Sequence, residues 1–143
     1  MAGLTATQIV ESLGMQRHPE GGWYVETWRD APGADGRSRG TAIYYLLEAG
    51  QRSHWHRVDA TEIWHWHAGA ALKLGISEDG VSQTAITLGP DIARAQQPQV
   101  IIKPQAWQSA KSCGAWTLVG CTVTPGFEFS GFEMAPPGWE PGL

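Results

Sequence analysis

Cysteine and basic residues are scarce in this 143-residue sequence, and both shortages narrow what the protein can be. Only Cys113 and Cys121 are present, too few for the disulfide framework of a small secreted domain. We therefore expect two reduced core thiols in a cytoplasmic protein. The sequence has 10 Lys and Arg against 14 Asp and Glu, a net charge of −4, and no basic run. Because phosphate binding needs a basic surface, this balance argues against a nucleic-acid partner.

Long hydrophobic runs are also missing. No stretch approaches the ~20 apolar residues that a membrane span requires, so we expect no membrane partner. The first residues carry no basic segment ahead of an apolar one, which argues against a signal peptide. A chain of this length buries roughly two thirds of its unfolded surface, enough for one stable core. We expect a single domain over residues 1–143.

Tryptophan is unusually frequent for a chain of this size. The eight Trp outnumber the three Tyr and three Phe together. A Trp side chain combines a large apolar surface with one N–H group that needs a hydrogen-bond partner. The Trp residues therefore indicate either a cavity or interface lined with indole rings, or a core that happens to use them.

One short helix is predicted within residues 1–14. Thr5 and Gln8 fit a capping box, in which each side chain accepts the other residue's backbone N–H. An apolar stripe follows on one helical face, and Gly14 supplies the residue that ends the helix.

Beyond residue 14 the helical period gives way to short apolar runs separated by turn residues. Such runs, rich in Thr, Val, Ile, Trp and Tyr, are typical of strands. They cover residues 22–29, 41–48, 52–58, 61–67, 70–77, 81–88, 98–103, 115–124 and 127–134. Strands at this spacing predict an all-β antiparallel sandwich or barrel. The Pro- and Gly-rich residues 136–143 are expected to form a loose tail.

Four of the five histidines fall within one short segment. They are His54, His56, His65 and His67. Because alternate residues of a strand share a face, His54 and His56 are expected to point the same way. Two imidazoles at this spacing, joined by a carboxylate from a neighbouring strand, are typical of metal-binding sites with open positions.

The next strand offers two alternatives for the remaining ligands. Glu62, Trp64 and Trp66 share one face of it, while His65 and His67 share the other. Only one of these faces can look into a barrel. We favour the face with Glu62, because two Trp beside a carboxylate make a plausible pocket wall, and the two histidines would then lie on an outer or subunit-facing surface. The reverse arrangement remains open.

The order of residues in this segment resembles the first motif of the cupin superfamily. That motif consists of a glycine, a His-x-His pair, a glutamate and a second glycine, matched here by Gly50, His54, His56, Glu62 and Gly69. The spacing between the His pair and the glutamate is one or two residues longer than in the motif. The second cupin motif ends in a histidine, and residues 103–108 match its position with Gln108 instead.

Longer blocks resemble one branch in particular, the cupin-5 family of small cupins. They are residues 18–29, 41–47, 56–59, 62–65, 107–110 and 121–129, in order over most of 13–135. The resemblance implies a double-stranded β-helix, also called a jelly-roll or cupin barrel, that usually forms a homodimer. It also implies that His56, Glu62 and Gln108 occupy pocket positions, whereas the residue at the position of His54 varies within the family.

Such a pocket could bind its ligand through a metal or without one. The candidate ligands are His54, His56, Glu62 and Gln108. An amide oxygen is a poorer ligand than an imidazole for a divalent transition metal such as Zn, Ni, Fe or Mn. Either these groups hold a metal, or they bind a polar molecule directly by hydrogen bonds.

Other side chains are candidates for contact with a small-molecule ligand. They are Tyr45, Arg57, Trp64, Trp66, Trp107 and Gln108. Tyr44 and Tyr45 alternate faces, so one phenol should line the barrel and could pass a proton. Arg57 is either an anion clamp or half of a salt bridge at the rim. Residues 18–22 read as a structural turn, or as a segment lying over the barrel mouth.

Three functions remain open from the sequence. By analogy with metal-free sugar-nucleotide epimerases of similar fold, His56 would be a base, Glu62 would orient it, and Tyr44 or Tyr45 would return the proton. Metal-dependent dioxygenase, isomerase or decarboxylase chemistry is the other enzymatic branch. A binding protein would hold a sugar, nucleotide sugar or small acid in a Trp-rich pocket without chemistry. A structural dimer with an unused pocket is the third option.

Overall fold

The computed structural model describes residues 3–143, which form one short helix and eleven β-strands in two antiparallel sheets. The strands are β1 (Gln16–Arg17), β2 (Trp23–Arg29), β3 (Thr41–Glu48), β4 (Ser53–Val58), β5 (Thr61–Gly69), β6 (Leu72–Ser77), β7 (Thr84–Leu88), β8 (Gln99–Ile102), β9 (Trp107–Ser112), β10 (Trp116–Thr124) and β11 (Phe132–Met134). The all-β jelly-roll predicted from the sequence is confirmed.

The helix, α1, covers Ala6–Leu13 and forms as predicted. Thr5 Oγ1 accepts the Gln8 backbone N–H at 3.2 Å, and Gln8 Oε1 accepts the Thr5 N–H at 2.9 Å. Gly14 ends the helix in the left-handed conformation, with φ of 66°. Residues 1 and 2, which belong to the expected helical segment, lie outside the described residues. Within 3–143 no helix is long and apolar enough to cross a membrane.

Strands distant in sequence lie side by side in both sheets. The larger sheet has the order β1-β2-β3-β10-β5-β8, and the smaller has the order β11-β4-β9-β6-β7. Strand β10 thus lies between β3 and β5, with Val119 opposite Tyr45 on one side and opposite Trp66 on the other. This arrangement brings β4, β5 and β9, which carry the candidate site residues, to the two facing sheets of one barrel.

Three elements of the strand prediction differ from the structure, and one of them is β1, which lies outside every predicted run. Strand β9 lies between two predicted runs, because the sequence Trp-Gln-Ser-Ala-Lys-Ser shows little apolar alternation. Its small residues Ser109 and Ala110 are nevertheless buried, because β9 is central in its sheet between β4 and β6. Of the predicted run 127–134, only β11 is a strand, and a short 3-10 turn precedes it.

Apolar side chains from both sheets fill the closed end of the barrel. They are Tyr45, Leu47, Trp64, Leu72, Leu74, Leu88, Val100, Ile102, Ala106, Ala110, Val119 and Cys121. A second cluster lies outside the larger sheet, where α1 covers Leu46 and Leu118. The expectation of two core thiols is wrong for Cys113, which is exposed in the turn after β9, whereas Cys121 is buried.

The last residues are packed against the smaller sheet, so the expectation of a loose tail is wrong. The Trp139 ring lies 4.7 Å from the ring of Trp107. The Gly142 N–H donates to the Gly80 carbonyl at 3.0 Å. An indole that stacks on another indole removes a large apolar area from water, which holds residues 136–143 in place.

Candidate functional site

The open end of the barrel contains a cavity of about 500 Å³, a size typical of small-molecule sites. Its lining includes His18, Glu20, Tyr24, His56, Glu62 and Phe132. Three phenylalanines contribute to the wall, but none of the described lining residues is a Trp. The expectation of a Trp-rich pocket is therefore wrong, because the indoles lie in the closed end of the barrel or on its outside.

His56, on β4, presents one ring nitrogen to this cavity. The imidazole is buried, and its Nδ1 atom lies 2.7 Å from the His54 carbonyl oxygen. A carbonyl only accepts hydrogen bonds, so Nδ1 carries the proton and Nε2 is the basic nitrogen. Nε2 lies 3.4 Å from Oε2 of Glu20. Burial lowers the pKa of His56, an effect that the nearby Glu62 opposes, so the neutral imidazole is favoured.

Glu20 and His18 enter the cavity on the turn that precedes β2. Glu20 accepts a hydrogen bond from the Ser53 hydroxyl, and burial raises the pKa of Glu20. The His18 Nδ1 atom accepts the Glu20 backbone N–H at 3.1 Å, and burial lowers the pKa of His18. Residues 18–22 are therefore part of the site. The sequence indicated only a turn or a cover for the barrel mouth, and nothing in it assigned a role to Glu20.

Glu62, on β5, is held by a chain of buried hydrogen bonds. Gln108 Nε2 donates to Glu62 Oε1 at 2.8 Å, and Trp64 Nε1 donates to Gln108 Oε1 at 2.7 Å. Because an indole N–H only donates, it fixes which end of the Gln108 amide faces Glu62. Burial raises the pKa of Glu62 to about 7, with a further increase from Glu20 and opposing effects from His56 and Gln108. This carboxyl group can therefore donate or accept a proton near neutral pH.

The two remaining histidines of β5 lie on the outer face of the larger sheet. His65 Nε2 lies 3.2 Å from the Thr122 hydroxyl, and the His67 ring packs 5.9 Å from that of Tyr44. Glu62 and Trp64 are both buried on the inner face. Of the two alternatives that the sequence left open, the structure adopts the one with the carboxylate inside.

A β-bulge in β4 separates His54 from His56. Ser53 pairs with Ala110 and His56 pairs with Gln108, so three steps along β4 match two along β9. The extra residue puts Ser53 and His56 on the inner face and turns His54 outward, where its Nε2 lies 3.0 Å from the Pro136 carbonyl. The prediction that the two histidines share a face is wrong, because it assumed an unbroken strand.

The candidate metal ligands do not assemble around one point. His54 faces away from the cavity, and the Gln108 oxygen already accepts the Trp64 N–H. The amide nitrogen that faces Glu62 is a donor and cannot ligate a cation. Within residues 3–143, no group of three or more His, Cys, Asp or Glu side chains is placed to hold a metal ion. The set His54, His56, Glu62 and Gln108 therefore does not fit a divalent metal.

Neither tyrosine of β3 is placed to exchange a proton with a ligand. Tyr44 lies on the outer face of the sheet and packs against the cluster beneath α1, so a catalytic role for Tyr44 does not fit the structure. Tyr45 points inward, but its hydroxyl donates to the Gly21 carbonyl. Burial raises the pKa of Tyr45 well above its usual range, so the phenol stays neutral and holds the turn at Gly21 in place.

The other five expected ligand contacts also lie outside the cavity lining. The Arg57 guanidinium donates to Glu133 at 2.8 Å and stacks 4.5 Å above the Trp107 ring, on the outside of the smaller sheet. Trp66 packs against the core and donates to the Ala70 carbonyl at 3.1 Å. Trp64 and Gln108 lie one layer beneath the cavity, where they support Glu62.

Comparison with known proteins agrees with this architecture. A family model described as "Cupin superfamily (DUF985)" matches residues 7–135. A hypothetical protein from Leishmania major has 27% identity and a TM-score of 0.86, covering 95% of this chain and 90% of that one. A protein from Shewanella oneidensis has 33% identity and a TM-score of 0.88, covering 92% of this chain and 85% of that one.

More distant structures share only the fold. Oxalate decarboxylase from Bacillus subtilis has a TM-score of 0.62 at 10% identity, covering 82% of this chain and 29% of that one. A search of curated proteins found no match. The match over residues 7–135, together with the barrel and its cavity, shows that this chain belongs to the Cupin_5 family of the cupin superfamily.

Proposed function

We propose that this cupin-type protein binds a small polar molecule in the barrel cavity and transfers a proton on it, as an isomerase- or epimerase-like enzyme. The observation that supports the proposal best is the state of His56. Its Nδ1 is fixed by a backbone carbonyl, and its basic Nε2 lies in the cavity 3.4 Å from a buried carboxylate. A desolvated neutral imidazole beside a carboxylate is the arrangement that a general base needs.

The chemistry suited to these groups is removal of a proton from a carbon next to a carbonyl. His56 Nε2 takes the proton, and the electron pair of the C–H bond moves onto the carbonyl oxygen. The carboxylate of Glu20 stabilises the imidazolium that forms. Protonated Glu62 gives its proton to the new oxyanion, which forms an enediol. His56 then returns its proton to that carbon or, in an isomerisation, to the adjacent one, and Glu62 takes a proton back from an enediol hydroxyl, so both side chains are regenerated.

A second candidate is binding without chemistry. The chain of hydrogen bonds from Trp64 through Gln108 to Glu62 holds the carboxyl group in one orientation. Phe127, Phe129 and Phe132 add an apolar wall to the cavity. A rigid polar group beside an apolar wall also suits recognition of a small ligand.

Deuterium exchange separates these candidates. The protein is incubated in D₂O with a panel of aldoses and ketoses, and NMR follows deuterium entering at the carbon next to the carbonyl. We expect exchange with the native protein and with His54→Gln, whose side chain faces away, and a loss of at least about a hundredfold with His56→Gln. Equal exchange in both variants would contradict the proposed base. Ligand-induced shifts of cavity resonances without exchange would support binding alone. The absence of both exchange and shifts would overturn both candidates.

A further inference from the structure

We infer that the cavity selects a small organic cation, such as a protonated amine on a polar skeleton, over neutral and acidic molecules of the same size. This inference rests on the proposed function, because it names the class of molecule that the cavity would bind. It departs from the nucleotide sugars and small acids that the fold analogy suggests. Three features of the lining carry it: the charges at the rim, the charges in the interior, and the aromatic wall.

The rim has no basic group free for an anion among the described residues. Arg29 is the one Lys or Arg of the described lining, and it donates to Glu26 at 2.7 Å and to the Phe127 carbonyl at 3.1 Å. The charge of Arg29 is therefore balanced by Glu26. A phosphate or carboxylate entering here would have to displace that pairing.

A second rim carboxylate adds negative charge. Glu128 lies 3.2 Å from Nε of Arg37, but the same guanidinium binds both carboxylate oxygens of Asp59, at 2.8 and 3.0 Å. One guanidinium thus pairs with two carboxylates, so these three side chains together keep one net negative charge. Glu128 lines the cavity, whereas Arg37 and Asp59 lie behind it.

The interior carries two more carboxyl groups and no fixed positive charge among the described lining residues. Glu62 is buried, and the side chain of Glu20 is only 9% exposed. The nearest basic groups are His18 and His56, and burial lowers the pKa of both. Burial also raises the pKa of both carboxyl groups, because a buried carboxylate without a cationic partner is costly. A ligand cation would stabilise their ionised forms, whereas a ligand anion would be repelled by them.

Part of the apolar wall is aromatic and part is aliphatic. The rings of Phe127, Phe129 and Phe132 lie 4.9 to 6.0 Å from one another. The Phe132 ring also packs 5.4 Å from that of His56. Aromatic faces attract cations, most strongly where water is excluded. The aromatic rings therefore favour a positively charged ligand, as the carboxyl groups do.

Three probes with the same ring test the sign of the preferred charge. They are glucosamine, glucose and glucuronate, with choline as a cation of different skeleton, and calorimetry measures their affinities near neutral pH. We expect glucosamine to bind at least about tenfold more tightly than glucose, and glucuronate to bind most weakly. Glu128→Gln should weaken glucosamine binding about twofold to fivefold and leave glucose unchanged. Glu11→Gln, on the exposed side of α1, is the matched control and should change neither.

The outcomes separate this inference from the function on which it rests. Glucose or glucuronate binding in the cavity as tightly as glucosamine would overturn the preference for a cation and leave the proposed function standing. Failure of both glucosamine and choline to shift cavity resonances would also overturn it. The deuterium-exchange experiment decides the proposed function separately, because it compares His56→Gln with His54→Gln and reads proton transfer rather than affinity.

Discussion

Nε2 of His56 and Oε2 of Glu20 face each other across 3.4 Å at the bottom of the cavity. They come from separate segments, β4 and the turn before β2. Because Nδ1 of His56 donates to the backbone, both facing atoms are acceptors when the imidazole is neutral and the carboxyl is ionised. The Nε2 lone pair therefore has no donor among the described residues and can take a proton from a ligand, and the facing carboxylate would stabilise the imidazolium that forms. This pair is the basis for the proposed proton transfer.

The first prediction concerns the support beneath Glu62. Trp64→Phe keeps most of the apolar ring but removes the N–H that Gln108 accepts, leaving a buried amide oxygen without its partner. We expect a loss of about 1–3 kcal/mol in the free energy of unfolding, measured by chemical denaturation. Trp28→Phe, at a ring that is 51% exposed, is the control and should change stability by less than about 0.5 kcal/mol. Equal effects of the two substitutions would argue against the buried hydrogen-bond chain.

The second prediction concerns stability against pH. The pKa of Glu62 rises from 4.5 to about 7 on folding, so the stability it contributes is present below pH 4.5 and is lost as the pH rises through 7. Glu62→Gln removes this dependence and keeps an acceptor for Gln108. Relative to the native protein, the variant should gain on the order of 3 kcal/mol between about pH 5 and pH 8.

Comparing the native protein with Glu62→Gln separates the pH-dependent stability due to Glu62 from that due to its neighbours. Burial also raises the pKa of Glu20, which acts in the same direction, and lowers the pKa of His18 and His56, which act in the opposite one. These groups are present in both proteins, so most of their contribution cancels in the difference. A difference in unfolding free energy that stays flat across this pH range would show that Glu62 ionises normally.

The third prediction concerns the turn that delivers Glu20. Gly21 has φ of 109°, and a Cβ there would overlap the Arg52 carbonyl. Gly36 also has a positive φ, of 83°, but a Cβ there meets nothing within 4 Å. We expect Gly36→Ala to cost about 1 kcal/mol from backbone strain alone, and Gly21→Ala to cost about 3 kcal/mol or more. A similar cost at both positions, measured by denaturation, would mean that the turn is not packed against Arg52.

Much of the fold could be predicted from the sequence. The capping box at Thr5, the strand periods and the order of blocks shared with the cupins specify the helix, most strands and the barrel. The period of β5 also groups Glu62 with Trp64 on one face and the two histidines on the other. These features follow from local spacing and from the alternation of faces, which a sequence displays directly.

The site was less predictable, because two of its determinants are not local. The bulge in β4 exchanges His54 for Ser53 on the inner face, and it is visible only in the pairing of β4 with β9. Glu20 joins the site through a turn whose position depends on contacts with Arg52 and Tyr45. The high Trp content led to the prediction of a Trp-rich cavity wall, which is wrong because large apolar rings pack equally well in a core.

The most direct test of the account is the protonation state of His56, read from the ¹⁵N chemical shifts of its two ring nitrogens during a pH titration. We predict that at neutral pH the proton lies on Nδ1 and Nε2 is bare, and that the ring titrates below the ordinary pKa of 6.5. Glucosamine should shift the Nε2 signal. A proton on Nε2 at neutral pH, or a pKa at or above 6.5, would contradict the proposal that His56 is the base of this cavity.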